Sequence, residues 1–132
     1  MKSKPKRISI CKSFAFEAAH HLPDYEGKCR NVHGHRWEGE VVISCAEKDL
    51  KQGMVIDFSD LKTILNILVV EKYDHKDLNQ YFENPTCETI CAEIYDAVSW
   101  HLERSKFDYL RLESVRLYET PGNYCVVEGW TK

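Results

Sequence analysis

Two long stretches of period-two alternation, residues 6–20 and 34–45, constrain this chain more than any other feature. In the first, Ile8, Ile10, Phe14, Phe16, Ala18 and His20 share the even parity, so one face of an extended strand is apolar and ends in a histidine. Lys12 interrupts that face, and a bulge is expected there. In the second, His35, Trp37, Val41, Ile43 and Cys45 face one way, while Arg36, Glu38 and Glu40 face the other.

Helical periodicity follows. Leu61, Ile64, Leu65 and Leu68 form an apolar stripe over about 60–72, with Asp57 or Ser59 as the cap. A second helix starts after Thr86 and runs to about Arg104, burying Ile90, Cys91, Ile94, Val98 and Leu102. The end reads as a hairpin of residues 111–119 and 124–130 around Thr120-Pro121-Gly122-Asn123. The order ββααββ predicts an α+β domain, an antiparallel sheet with two helices on one face.

At 132 residues the chain is expected to form one domain, 1–132, around one core. No apolar run approaches the ~20 residues of a membrane span, so no membrane partner is expected. The opening MKSKPKR has no apolar segment behind it and is read as a flexible basic tip, residues 1–6, rather than an export signal, which makes the cytoplasm the default. Removing Lys2, Lys4, Lys6 and Arg7 from the 18 basic residues leaves 14 against 21 acidic, a body at −7. That balance argues against nucleic acid as a partner. The six cysteines include no C-x-x-C pair, and most are read as small buried hydrophobes, with Cys29 set apart by its neighbours.

Four of the six histidines fall within residues 17–35. His33 and His35, two apart on a strand, send both imidazoles to one side. Of the pair ending the first strand, His20 continues the Phe14, Phe16, Ala18 face, whereas His21 points away. Three neutral imidazoles suit Zn2+, and three protein ligands are the usual number where a fourth position is kept for water or substrate. Cys29 is either a fourth ligand closing a structural site, or a thiol beside the metal serving as base or nucleophile. His101 reads as a plain helix-face residue.

Asp74 and His75 place a carboxylate beside an imidazole in a loop. Glu119 follows Val115 and Leu117 on an apolar face, where a carboxylate needs a partner unless the strand end is solvated. Gly27, His33, His35 and Glu40 also match most of the first cupin motif, but Glu47 stands where that motif closes with glycine, and two helices replace the many strands a cupin needs.

The motifs FEAAHHLP, CRNVHGH, GMVIDF, YDHKDLN, NPTCE and YETPGN, in this order, resemble the 6-pyruvoyltetrahydropterin synthase superfamily over nearly the whole chain. Three residues between Cys29 and His33 resemble its bacterial 6-carboxytetrahydropterin synthases of 7-deazaguanine (queuosine precursor) biosynthesis. The resemblance implies a tunnelling fold. Four-stranded sheets from three subunits close a barrel, and two barrels stack into a homohexamer with active sites at subunit interfaces. It implies metal ligands His20, His33 and His35, a catalytic Cys29, and a catalytic Asp74–His75 pair lent across an interface. It also implies a pterin-anchoring Glu119, with Thr86 and Glu88 near the substrate ring. His21 stands where many relatives carry Arg, and Tyr73 where Leu is frequent. The implied substrate is a small pterin triphosphate. A 6-pyruvoyl activity on the same substrate, or a non-catalytic zinc or pterin-binding module, are the alternatives.

Overall fold

The computed structural model describes residues 4–130. Strand β1 (Arg7–His20) turns back through a loop into β2 (His33–Ala46), and the two pair antiparallel from Arg7 opposite Ala46 to His20 opposite His33. The register is unbroken, so the bulge expected at Lys12 is absent. Lys12 stays opposite Val41, half-buried on the inner face. A lysine can occupy that place because its methylene stem covers apolar surface while the ammonium reaches water. Residues 1–3 of the expected basic tip lie outside the described residues. Lys6 is tied to the domain, its carbonyl accepting from the Glu47 N–H at 2.9 Å.

Asp57 is the cap of helix α1 (Phe58–Leu65), its carboxylate accepting from the Ser59 N–H at 2.8 Å. The helix continues through a π-helical turn, Asn66–Val70, into a last turn α2 (Glu71–Tyr73). That turn shifts the expected apolar stripe. Leu61, Ile64 and Leu65 are buried as the 3.6-residue period requires, but Val69 is fully buried beyond them and Leu68 only partly.

Next comes β3 (Lys76–Asp77), two residues pairing parallel with Ala18 and Ala19 of β1. Helix α3 (Cys87–Glu103) starts at Thr86, whose hydroxyl accepts from the Thr89 N–H at 3.2 Å, and it buries the five residues its period predicts. Strand β4 (Arg111–Thr120) and β5 (Asn123–Glu128) close the chain as a hairpin through Pro121–Gly122. The sheet order is β3-β1-β2-β4-β5, so five strands replace the expected four. The addition is too short to carry a periodic signature.

Leu112 and Val115 of β4 are both buried although their parities differ. Ser114 pairs with Val42 and Leu112 with Ile43, leaving Glu113 as the extra residue of a bulge that turns the strand by one position. Beyond it, Val115 and Leu117 face inward and Glu119 follows them toward the end of the sheet that carries the histidines. The helices cover one face, over a core that runs from Phe14 and Phe16 through Trp37, Val41 and Ile43 to Val115 and Leu117. Gly39 lies beneath the Phe14 ring, where any Cβ would stand 2.3 Å from the ring's Cζ. No helix among the described residues is long and apolar enough to cross a membrane.

Candidate metal centre and active site

His20 opposes His33 across the β1–β2 ladder, and His35 lies two residues further along the same face. The ring centroids are 4.5 Å apart for His20 and His33, 4.8 Å for His33 and His35, and 5.2 Å for His20 and His35. One nitrogen from each comes within 4.8 Å of the others. His21 is not in this group, in accord with strand parity.

Backbone carbonyls fix two of the rings. His20 Nδ1 donates to the Pro85 carbonyl at 2.8 Å, and His33 Nδ1 to the Asn31 carbonyl at 2.7 Å. With Nδ1 holding the proton, the Nε2 lone pair of each ring is left free. A carbonyl partner of this kind is what sets the tautomer and orientation of a metal-binding histidine. His20 is 1% exposed, and its Nε2 and the His35 Nε2 are buried with no hydrogen-bond partner. Leaving such atoms unpaired costs about 1–3 kcal/mol each. A cation among the three rings would satisfy them, so the donor set fits a metal ion. Burial holds both imidazoles below their ordinary pKa, against the opposing pull of the Pro85 carbonyl on His20 and of Glu119 on His35. Neutral rings are the form that binds a metal.

Trp37 floors the cluster. It is fully buried, its ring stands edge-on to His20 and His35, and its indole N–H is used on the Ala18 carbonyl at 3.2 Å. Glu119 is half-buried, with Oε1 3.4 Å from His35 Nε2. It is therefore not a carboxylate loose in solvent. An open groove of about 510 Å³ runs past it, lined by Gly34, His35, Arg36, Glu38, Tyr118 and Glu119.

Cys29 lies in the loop between β1 and β2, on a short turn of Lys28–Arg30, and is half-buried. Gly27, at φ 131°, makes the reversal into that turn, a conformation other residues rarely adopt. Asp74 and His75 meet as the sequence suggested, with Asp74 Oδ2 2.8 Å from His75 Nδ1. The other oxygen, Oδ1, accepts from the Glu17 N–H at 2.9 Å. These two hydrogen bonds, the backbone one first, hold the Asp74 carboxyl below its usual range. His75 has a left-handed backbone, φ 59°, and its side chain is 77% exposed. Thr86 is committed to capping α3, and Glu88 stands exposed in the first turn of that helix.

The family described as 6-pyruvoyl tetrahydropterin synthase matches residues 9–129. The chain belongs to this family. It is 48% identical to the 6-carboxy-5,6,7,8-tetrahydropterin synthase of Synechocystis over 93 residues, covering 65% of this chain and 70% of that relative. The Haemophilus influenzae protein of the same name is 32% identical over 138 residues, 89% of this chain and 96% of the relative. The solved 6-pyruvoyl tetrahydropterin synthase of Caenorhabditis elegans shares the fold with a TM-score of 0.79 at 25% identity, covering 95% of this chain and 97% of that one. As a member of the 6-pyruvoyl tetrahydropterin synthase family, the chain is an enzyme.

Pattern reading missed the carbonyls of Pro85 and Asn31, the Trp37 floor, and Asn79, whose side chain binds the backbone of His21. The NPTCE, CRNVHGH and YDHKDLN motifs contain Pro85, Asn31 and Asn79 but do not mark these contacts. The other cysteines are free thiols. Cys87, Cys91 and Cys125 gather between α3 and the hairpin, where burial pushes them up to about 12, 11 and 12. They are packing residues.

Proposed function

We propose that this family member is a zinc-dependent 6-carboxy-5,6,7,8-tetrahydropterin synthase. It converts 7,8-dihydroneopterin triphosphate and one water into 6-carboxytetrahydropterin, acetaldehyde and triphosphate, as a carbon–carbon lyase in 7-deazaguanine (queuosine precursor) biosynthesis. The observation that carries this reading is the convergence of three imidazoles, two of them with buried, unpartnered Nε2 atoms, beside a groove lined by His35 and Glu119.

In this reading His20, His33 and His35 hold the zinc. When bound, it polarises side-chain oxygens of the substrate and so acidifies the neighbouring C–H bonds. Glu119 accepts two parallel N–H hydrogen bonds from the amino-pyrimidinone edge of the pterin, which fixes the ring's orientation. Thr86 and Glu88 flank that ring. Cys29 takes and returns a proton on one face of the side chain. His75, its Nδ1 held by Asp74, moves protons through Nε2 on the other.

His75 is too exposed to work at a water-excluded centre within a lone chain, and β5 leaves one side of its backbone unpaired at the sheet edge. Both features favour a homohexamer with sites at subunit interfaces. A substrate carrying three phosphates favours the cytoplasm.

The test is to incubate zinc-loaded protein with 7,8-dihydroneopterin triphosphate and identify every product. Acetaldehyde together with triphosphate supports the carboxy reaction. Triphosphate without acetaldehyde makes the enzyme a 6-pyruvoyl synthase, which keeps the carbon chain intact. Pterin binding without triphosphate release would leave only a binding module.

A further inference from the structure

Residues 74–79 are laced along the edge of β1 that faces away from β2. The Glu17 N–H donates to Asp74 Oδ1, the Glu17 carbonyl accepts from the His75 N–H at 2.6 Å, and Ala18 and Ala19 pair with Lys76 and Asp77. Strand alternation then turns the N–H and carbonyl of His21 toward the same edge, where β3 has already ended. The Asn79 side chain meets both. Its Oδ1 accepts from the His21 N–H at 2.9 Å, and its Nδ2 donates to the His21 carbonyl at 3.0 Å. A primary amide offers the same donor and acceptor as a peptide group, so Asn79 stands in for one further residue of strand. Its own backbone is anchored, since its N–H donates to Asp77 Oδ1 at 3.0 Å and Leu78 beside it is fully buried.

His21 separates two groups that the proposed reaction uses. Before it in the chain is the ligand His20. After it is Leu22, whose N–H donates to the Cys29 carbonyl at 2.7 Å, so the thiol loop hangs from the residue next to the one Asn79 grips. From Asn79 back along the chain, Asp77 and Lys76 lead to His75. We infer that Asn79 is a positioning residue whose amide sets the Cys29 loop and the Asp74–His75 loop against the end of β1. The roles of those two loops rest on the proposed reaction, whereas the clamp itself rests on hydrogen bonds. His20 has separate support from β2 and from the Pro85 carbonyl, so metal binding does not depend on Asn79.

The test uses the full-length, zinc-loaded protein with Asn79→Asp, which keeps the size and the acceptor but deletes the donor to the His21 carbonyl. The expected result is a kcat lower by roughly tenfold to a hundredfold, from a displacement on the order of 1 Å, with KM and zinc content little changed. Alkylation of Cys29 by iodoacetamide, followed site by site by mass spectrometry against the exposed Cys11, changes in rate at the same time. Asn79→Ser, which drops the amide without adding charge, gives the same pattern should the aspartate variant not fold. Unchanged kcat and unchanged Cys29 alkylation would overturn the inference, as would losses that follow only a lowered melting temperature. Alkylation needs no substrate, so a wild-type protein inactive on the pterin would defeat the functional reading while Asn79 is still judged on the thiol.

Discussion

The histidine cluster and the Asp74–His75 pair both hang on the last residues of β1, yet His20 is 1% exposed and the His75 side chain 77%. Two of the three clustered rings are oriented by backbone carbonyls, over a buried indole. His75 has one side-chain partner, Asp74, and presents the rest of its ring to solvent. In the proposed reaction, the difference separates a centre complete within the chain from a pair that a second surface would cover. Binding a metal needs only the first. The proposed reaction needs both.

The comparison breaks most visibly at the metal. His33→Ala removes one of the three proposed ligands, and metal analysis is expected to find no stoichiometric zinc and no turnover above background. Cys29→Ala tests whether the thiol belongs with the ligands. The expected variant keeps its zinc but loses about 10²–10⁴-fold in kcat, the usual scale for a positioned proton-transfer group. Asp74→Asn retains an acceptor for the Glu17 N–H but can offer an amide donor to His75 Nδ1. Activity is expected to fall about 10–100-fold at full metal content, as for other groups that orient a working side chain.

How far such roles are legible in sequence depends on whether they reside in side chains or in backbone direction. Period-two parity picks out His20, His33 and His35, and rejects His21, because extended strands in continuous register preserve it. Asp57 and Thr86 are legible because capping is local. Parity through Lys12 suggested a bulge that a lysine stem makes unnecessary, while the real bulge at Glu113 carries no local mark. The π-helical turn at Asn66–Val70 breaks the 3.6-residue period and moves burial from Leu68 to Val69. The carbonyls that hold His20 and His33 are invisible because every residue has one, and only the fold decides where it points.

The smallest predicted effect concerns pH. Burial holds His20 and His35 below the unfolded value of about 6.5, so the unfolded chain binds more protons as pH falls through that value. Stability contributed by these neutral rings is therefore present above about pH 6.5 and is lost on acidification. Between about pH 7.5 and 5.5 the melting temperature of the metal-free protein is expected to fall by a few degrees, and the loaded protein to release zinc. A stable metal-free protein at the lower pH would show that the buried rings carry no such penalty.

X-ray absorption at the zinc edge of the loaded protein bears most directly on the idea of a three-histidine centre kept open for chemistry. The account predicts nitrogen and oxygen scatterers at about 2.0–2.1 Å and no sulfur. A zinc–sulfur shell at about 2.3 Å would make Cys29 a fourth ligand, close the site and contradict the account.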